Sequence, residues 1–155
     1  MAPDIQALDL QQPQVAEALH AIWLAAYAQE ASLLGIPAAL FPPLQCSAVD
    51  LQACGWTFLG AMTQGALAGA LALETRDGAT HINSLVVAPE CQRRGLGRQL
   101  MAAALQRCQG QKLRVSTGAA NTPAVALYQS MGFVPYLRET VGPPPVELVR
   151  LERLA

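Results

Sequence analysis

The sequence predicts one domain of the α/β class, with strands and helices alternating along residues 1–155. Length is the first observation, because a chain of 155 residues is typical of one domain and can bury about two-thirds of the surface that it exposes when unfolded. Composition is the second, because 52% hydrophobic and 14% charged residues are typical of a compact globular protein rather than a disordered one. The third is that apolar residues recur at strand spacing in some segments and at helical spacing in others.

Composition also argues against several classes of protein. The formal net charge is −1, so we expect no general affinity for nucleic acid and any anion site must be local. No apolar run reaches the length of a membrane span, and the first ten residues lack the basic and apolar regions of a signal peptide. We therefore expect a cytoplasmic protein. The cysteines and histidines do not have the spacing of metal-ligand pairs, so we expect four free thiols and no metal.

The first third of the chain predicts a strand, a long helix, a connector and a short helix. Ile5–Leu10 alternates loosely as a strand does, and Pro13–Leu34 carries apolar residues at helical spacing before Gly35 ends it. The two adjacent prolines in Ala38–Gln45 predict a stiff extended segment. Ser47–Cys54 reads as a short helix that the serine caps.

The remaining elements are bounded by glycine and proline. Trp56–Met62 and Ala66–Glu74 predict two strands of a hairpin, since Gln64-Gly65 lies between them, and the turn Thr75-Arg-Asp-Gly78 leads into a third strand. After residue 110 the pattern predicts a strand, a helix and a final antiparallel pair. These four elements are Lys112–Thr117, Asn121–Met131 with Thr122 as its N-cap, Phe133–Thr140 and Val146–Arg153.

The stretch from His81 to Gln109 predicts a strand, a turn and a helix in succession, and the functional interpretation depends on it. Ile82–Val87 predicts a buried strand that Pro89 ends, and Gln92–Gly97 is a basic turn with two glycines. Apolar residues then recur at helical spacing. A helix N-terminus has unpaired N–H groups and a positive dipole, and glycine lets a phosphate approach the backbone closely. The sequence therefore predicts an anion site at this turn.

Other glycine motifs fit this turn less well. A P-loop requires Lys and then Ser or Thr after its second glycine, whereas Gly97 is followed by Arg98 and Gln99. A dinucleotide fingerprint requires a third glycine where the chain has Leu100. From the turn alone, a tight bend with a solvated arginine cluster remains the alternative.

Two longer blocks resemble the GCN5-related N-acetyltransferase (GNAT) superfamily. The run Val-Val-Ala-Pro, five residues, Gly-Leu-Gly-Arg-Gln-Leu is similar to its motif A, and Gln92–Gly97 matches each fixed position of Gln/Arg-x-x-Gly-x-Gly/Ala. The block from Asn121 to Phe133 is similar to motif B, with its Asn, Leu-Tyr and Gly-Phe in place. The motif resemblance covers the chain from about Ala66 onward, and before that residue only the order of elements agrees.

The resemblance implies an acyl-CoA N-acyltransferase fold. In this fold a mixed, mostly antiparallel sheet of six to seven strands is flanked by helices on both faces, and acetyl-CoA enters a gap beside the strand that precedes the glycine turn. The pyrophosphate would bind at the turn and the pantetheine arm along that strand. The implied cofactor-binding residues are Leu85, Val86, Val87, Gln92, Arg93, Arg94, Gly95, Leu96, Gly97, Arg98, Asn121 and Tyr128. The alternative for Asn121 is that it only caps its helix.

The implied reaction is direct acetyl transfer to a primary amine. By resemblance, the Val87 N–H polarises the thioester carbonyl and Tyr128 protonates the leaving thiolate. Relatives carry a glutamate either on the strand after the motif helix, where this chain has Val115-Ser116-Thr117, or at the start of the central strand, where it has His81. His81, acting directly or through water and Asn83 or Ser84, is therefore the expected base, and Glu74 is the second candidate.

The acceptor is not decided by the sequence. Leu33, Phe41 and Leu44 are candidates for its pocket, although any one of them could be ordinary core. The absent carboxylate leaves open a second function, an acyl-CoA-binding sensor or accessory module with a degenerate acceptor site. Arg150 and Arg153, with their apolar neighbours, suggest that the C-terminal strand could form the edge of a homodimer.

Overall fold

A computed structural model describes residues 3–155 as seven strands and four α-helices. The strands form one sheet with the spatial order β1-β2-β3-β4-β5-β7-β6. Their bounds are β1 Asp4–Ala7, β2 Thr57–Thr63, β3 Ala66–Arg76, β4 Ala79–Val87, β5 Lys112–Gly118, β6 Val134–Val141 and β7 Val146–Leu154. The helices are α1 Pro13–Leu34, α2 Ala48–Ala53, α3 Leu96–Arg107 and α4 Thr122–Ser130.

The sheet is antiparallel except for the pair β4 and β5, which is parallel. The predicted mixed, mostly antiparallel α/β sheet is therefore confirmed, with seven strands. The expectation that the C-terminal strand forms an edge was wrong, because β7 pairs with β5 on one side and with β6 on the other. A final strand that inserts between two earlier ones cannot be recognised from sequence order alone.

Helices cover both faces of the sheet. Leu100, Met101 and Ala104 of α3 are fully buried in one apolar cluster, to which α4 contributes Tyr128. The cluster on the other face contains Leu19 and other residues of α1. Burying one such leucine or methionine side chain stabilises the fold by about 1.5–3 kcal/mol, so the two clusters hold the helices against the sheet. In residues 3–155, no helix combines the length and apolar character needed to cross a membrane.

The predicted hairpin turns are present. Gln64 and Gly65 have φ of 53° and 78°, and Asp77 and Gly78 have φ of 54° and 73°. Two successive residues with positive φ are the feature of a type I′ turn, whose twist matches that of the flanking strands. Helix α1 begins at Pro13, as predicted, and is followed by Gly35 with φ of 71°.

Three local predictions were wrong. Ala38–Gln45 is not extended but contains two short 3₁₀ helices, at Ala38–Leu40 and Pro42–Gln45; proline's fixed φ suits the first turn of such a helix as well as an extended chain. The first strand ends at Ala7 rather than Leu10. The N-cap of α4 is Asn121, whose side chain accepts a hydrogen bond from the Ala124 N–H at 3.4 Å, while Thr122 is already helical.

Candidate functional site

Strands β4 and β5 separate at one end and leave a wedge-shaped opening. They pair only through Thr80, His81 and Ile82, which lie opposite Leu113, Arg114 and Val115. Beyond Ile82 the two strands continue without pairing to each other, as far as Val87 and Gly118. We call the opening between 83–87 and 116–118 the gap, and the pair Ile82 and Val115 its apex.

A β-bulge accounts for the separation of the strands. Ser84 lies opposite Ala72 on β3 and Ile82 lies opposite Leu73, so Asn83 is an extra residue in β4. A bulge bends its strand and increases the local twist. Here the bend falls directly after the last pair with β5. The Asn83 side chain donates a hydrogen bond to Glu74 at 2.9 Å, which fixes the bulged residue.

The gap exposes polar backbone groups of β4. The Ala88 N–H donates to the Ala68 carbonyl of β3 at 2.8 Å, and hydrogen-bonding direction alternates along a strand. The Val86 N–H therefore points toward β3, whereas those of Leu85 and Val87 point into the gap. A ligand with amide groups can pair with this edge as an added strand would.

The glycine turn presents the positive end of a helix at the mouth of the gap. Gly95, with φ of 79°, is the N-cap of α3 and supplies no capping side chain, and the first turn contains no acidic residue. Within α3 the first paired N–H is that of Gln99, which donates to the Gly95 carbonyl at 3.0 Å. The N–H groups of Leu96, Gly97 and Arg98 are therefore available to an acceptor.

Three arginines surround this helix end, contrary to what helix stability favours. Arg93, Arg94 and Arg98 are exposed, and a cation at a helix N-terminus opposes the dipole by about 0.3–1 kcal/mol. The Arg98 guanidinium is fixed across to α4 by a hydrogen bond to the Ser130 hydroxyl at 2.7 Å. An anion bound at this turn would be stabilised by the arginines and by the free N–H groups together.

Gly97 leaves room between α3, α4 and β4. A Cβ atom at this position would lie 3.5 Å from the Leu127 side chain and 3.8 Å from that of Leu85, which are ordinary van der Waals distances. The fold itself therefore does not require glycine at position 97. Alanine would fit here as well as glycine, which agrees with the Gly/Ala position of motif A.

Gln92 joins the turn to the gap and to α1. Its side-chain amide donates to the Val87 carbonyl at 3.3 Å and to the Gln29 side chain at 2.6 Å. The C-terminal half of α1 thus crosses the gap on the side opposite α3. This crossing brings further polar residues to the site.

Tyr27 and Glu30 of α1 are site residues that the sequence did not reveal. The Tyr27 hydroxyl is hydrogen-bonded to that of Ser84 on β4 at 2.7 Å, and Glu30 accepts from the Asn121 side chain at 3.0 Å. Burial raises the pKa of the Glu30 carboxyl, although the bond from Asn121 opposes the rise. Their spacing of three residues puts both on one helix face, but nothing in the sequence relates that face to the gap.

Tyr128 of α4 is buried in the apolar cluster beneath α3. Its ring lies 6.1 Å from that of Phe133, and only 6% of the residue is exposed. Burial raises the pKa of its phenol, and Tyr27 and Glu30 add to the rise through their proximity. The hydroxyl is therefore protonated at neutral pH and can donate a hydrogen bond.

His81 lies on the closed side of the apex, three residues before Ser84. Its Nε2 atom is buried and has no hydrogen-bond partner among residues 3–155. Burial lowers the pKa of the imidazole, and the nearby Arg76 and Arg114 lower it further. Glu74, the second candidate base, accepts hydrogen bonds from Asn83 and Arg76, which hold the pKa of its carboxyl below its usual value.

The three candidates for an acceptor pocket differ in their surroundings. Phe41 and Leu44 belong to a small apolar cluster with Tyr27, whose ring is 6.1 Å from that of Phe41, whereas Leu33 is exposed. A cavity of about 500 Å³ lies elsewhere, between β1 and α3. Among the described residues, no three or more His, Cys, Asp or Glu side chains cluster as metal ligands would.

Comparison with known proteins shows which family the sequence matches. The profile of the acetyltransferase (GNAT) family matches residues 16–133, so the match begins well before Ala66. UPF0157 protein YqkA of Bacillus subtilis is 32% identical over 130 residues, which are 83% of this chain but only 37% of that protein.

Solved structures share the fold. The ribosomal-protein-S18-alanine N-acetyltransferase of Escherichia coli superposes with a TM-score of 0.75 and 19% identity, over 97% of this chain and 92% of that one. The PaiA N-acetyltransferase of Thermoplasma acidophilum, solved in complex with coenzyme A, gives 0.74 and 17% over the whole of both chains.

Proposed function

Because the chain belongs to the acetyltransferase (GNAT) family, we propose that it transfers the acetyl group of acetyl-CoA to a primary amine, directly in a ternary complex. The acceptor would be a small molecule or a protein. The observation that carries the proposal is the alignment of two binding features, a free strand edge in the gap and an uncapped, arginine-rich helix N-terminus at its mouth. We further propose that residues 1–155 act as one domain in the cytoplasm.

The two features match the two halves of coenzyme A. The N–H groups of Leu96, Gly97 and Arg98 suit the pyrophosphate, and the edge at Leu85 and Val87 suits the amides of the pantetheine arm. Acetyl-CoA supplies an activated thioester. The coenzyme A in the Thermoplasma structure and the acetyl-CoA in that of the Salmonella typhimurium acetyltransferase yncA support this assignment.

A base must accept a proton from the acceptor, because an alkylammonium group with a pKa of about 10.4 is neutral in only about one part in a thousand at pH 7. We assign this role to His81. Its lowered pKa keeps the imidazole neutral at pH 7, and its unpartnered Nε2 can accept a hydrogen bond. Glu30 is the alternative, because its raised pKa makes that carboxylate more basic than an exposed one.

Tyr128 and Val87 would stabilise charge at the other reacting atoms. The protonated phenol of Tyr128 can donate to the sulfur of the leaving thiolate. The Val87 N–H points into the gap and can donate to the thioester oxygen, where negative charge develops. Both donors belong to packed elements, so little reorganisation is required when the reaction occurs.

The alternative function is an acyl-CoA-binding module without turnover. A thermal melt with acetyl-CoA, compared with NADH and ATP, tests the shared cofactor assignment. A ligand at about 100 times its Kd stabilises the folded state by roughly 2.7 kcal/mol, which corresponds to about 5–10 °C for a domain of this size. Stabilisation by acetyl-CoA above the other two supports both functions, and equal stabilisation by all three would contradict both.

We also propose a homodimer that forms through β6, an edge strand of the sheet. This edge strand exposes Val134, Tyr136, Leu137 and Val141, and an exposed apolar edge favours pairing with a second copy. A monomeric mass by light scattering at micromolar concentration would refute this arrangement.

A further inference from the structure

A small polar cavity lies at the apex of the gap and has no part in binding coenzyme A as proposed above. Its volume is about 110 Å³, comparable to roughly three or four water molecules at about 30 Å³ each. Three arginines and a histidine line it, and no carboxylate does. The charged or titratable lining residues are Arg76, His81, Arg114, Tyr136 and Arg150.

Strand register places these side chains on one face of the sheet. His81 lies opposite Arg114, and Ser116 lies opposite Arg150, and directly opposed residues project to the same side. The alternate residues Ile82 and Val115 are buried in the cluster beneath α3. The arginines therefore project to the face on which α1 lies, beside the point where the gap opens.

Hydrogen bonds to glutamate side chains hold the three guanidinium groups in place. Arg114 Nε donates to Glu152 at 3.1 Å, Arg76 Nε donates to Glu74 at 3.0 Å, and Arg150 is hydrogen-bonded to Glu139. A guanidinium carries five N–H donors in a planar fork. Carboxylates at Nε therefore orient Arg76 and Arg114. The Nη1 atom of Arg76 also lies 3.8 Å from Asp77, and the remaining terminal N–H groups are left for a further acceptor.

Two other features make the cavity suited to a ligand. The Arg114 guanidinium stacks over the Tyr136 ring at 5.1 Å, which restricts its motion further. The Nε2 atom of His81 is buried without a partner, and an unsatisfied buried polar atom costs about 1–3 kcal/mol. A ligand that offers acceptor oxygens to the arginines and an N–H of its own to Nε2 would satisfy the arginines and the histidine together.

We infer that this cavity binds a carboxylate carried by the acceptor, so that the acceptor is a small acidic amine of the amino-acid type. The inference rests on the proposed acetyl transfer. It follows from the volume, which fits a carboxylate and not a peptide segment, and from planar forks that match a carboxylate in bidentate fashion. The position beside the gap would bring the amine of the same molecule toward β4.

Matched acceptor pairs test the inference. Release of free thiol from acetyl-CoA is measured with L-lysine against cadaverine, L-phenylalanine against phenethylamine, and O-phospho-L-serine against L-serine. We expect kcat/KM for an amino acid to exceed that for its decarboxylated partner by about tenfold or more, the effect of one good charge-assisted contact. A preference confined to phosphoserine would overturn the carboxylate in favour of a phosphate.

Variants locate the preference in the cavity. In R114Q and R150Q the preference should fall about tenfold, through KM more than kcat. The matched control is R138Q, since Arg138 is exposed, pairs with Glu147 and lies outside the cavity lining. Its preference should equal that of the wild type. An equal loss in R138Q, or no loss in the other two, would refute the assignment.

Histidine NMR separates failure of this inference from failure of the proposed function. The chain has only two histidines, and His20 bonds to the Cys46 carbonyl at 2.8 Å. N-acetylglycine should move the His81 signals saturably, and N-acetylglycinamide should not. No such shift, together with turnover that shows no preference for carboxylates, overturns only the inference. A saturable shift without turnover of any amine supports the cavity and counts against the transferase.

Discussion

Replacing Gly97 and Gly95 by alanine, one at a time, should show which glycine of the turn the anion site requires. Gly97 is the second residue of α3, and the new Cβ would lie 3.5 Å and 3.8 Å from its nearest neighbours, Leu127 and Leu85. These distances require no rearrangement. Alanine is favoured over glycine within a helix by about 0.8–1 kcal/mol, so the variant should melt about 2–4 °C above the wild type in the absence of ligand.

Binding of acetyl-CoA by G97A should be close to that of the wild type. The added methyl group would point toward Leu127 and Leu85 at ordinary contact distances, and the motif that the chain matches accepts alanine as well as glycine at this position. The N–H groups of the helix N-terminus therefore stay open to a pyrophosphate. Isothermal titration of both proteins with acetyl-CoA measures the difference.

The contrasting variant is G95A, because Gly95 has φ of 79°. Alanine there would be strained by about 1–2 kcal/mol, so G95A should lose stability. Its affinity for acetyl-CoA should fall by about one to two orders of magnitude, because a shifted turn loses one charge-assisted hydrogen bond to the phosphate, worth about 1.5–3 kcal/mol. The reasoning is refuted if G95A binds acetyl-CoA as tightly as the wild type, because the turn at Gly95 would then not be a phosphate site.

Three further predictions concern the reacting groups and their pH dependence. If His81 is the base, kcat/KM should decrease at acid pH, with a midpoint below 6.5, the ordinary pKa of histidine, because the pKa of His81 is lowered. H81A should abolish this decrease, and an unchanged pH–rate profile in that variant would exclude the role. Y128F should lower kcat by about 10²-fold with little change in acetyl-CoA affinity by titration, and wild-type kcat would exclude a role for the phenol as acid. The pKa of the Glu30 carboxyl is raised in the folded state. Its contribution to stability is therefore present below pH 4.5, the pKa in the unfolded chain, and is lost as the pH rises through the pKa in the folded state. E30Q should therefore melt above the wild type at pH 7 by calorimetry, with the difference shrinking toward pH 4, and a difference that is constant with pH would contradict the raised pKa.

The sequence predicted the elements that depend on local signals. Helix α1 was bounded correctly because Pro13 and Gly35 act on the backbone at their own positions. The glycine turn and the strand before it were found because anion binding at a helix N-terminus leaves a contiguous pattern of glycine and basic residues. The segment Ala38–Gln45 was misassigned because proline fixes φ but not the choice between an extended and a 3₁₀ conformation.

The missed parts of the site arise from contacts between distant residues. Tyr27 meets Ser84 across 57 positions, and Glu30 meets Asn121 across 91. The bulge at Asn83 depends on the register of β4 against β3 and leaves no local signature. The arginine-lined cavity combines side chains of several strands, and their common face follows from the register between strands that are distant in sequence.

Amine-dependent release of free thiol from acetyl-CoA tests the central claim most directly. The wild type is mixed with saturating acetyl-CoA and a panel of amines and amino acids, with Y128F as a parallel sample. The proposed function predicts release that requires both protein and amine and that falls by about 10²-fold in Y128F. Clear stabilisation by acetyl-CoA with no amine-dependent release across the panel would contradict the transferase and favour the acyl-CoA-binding module.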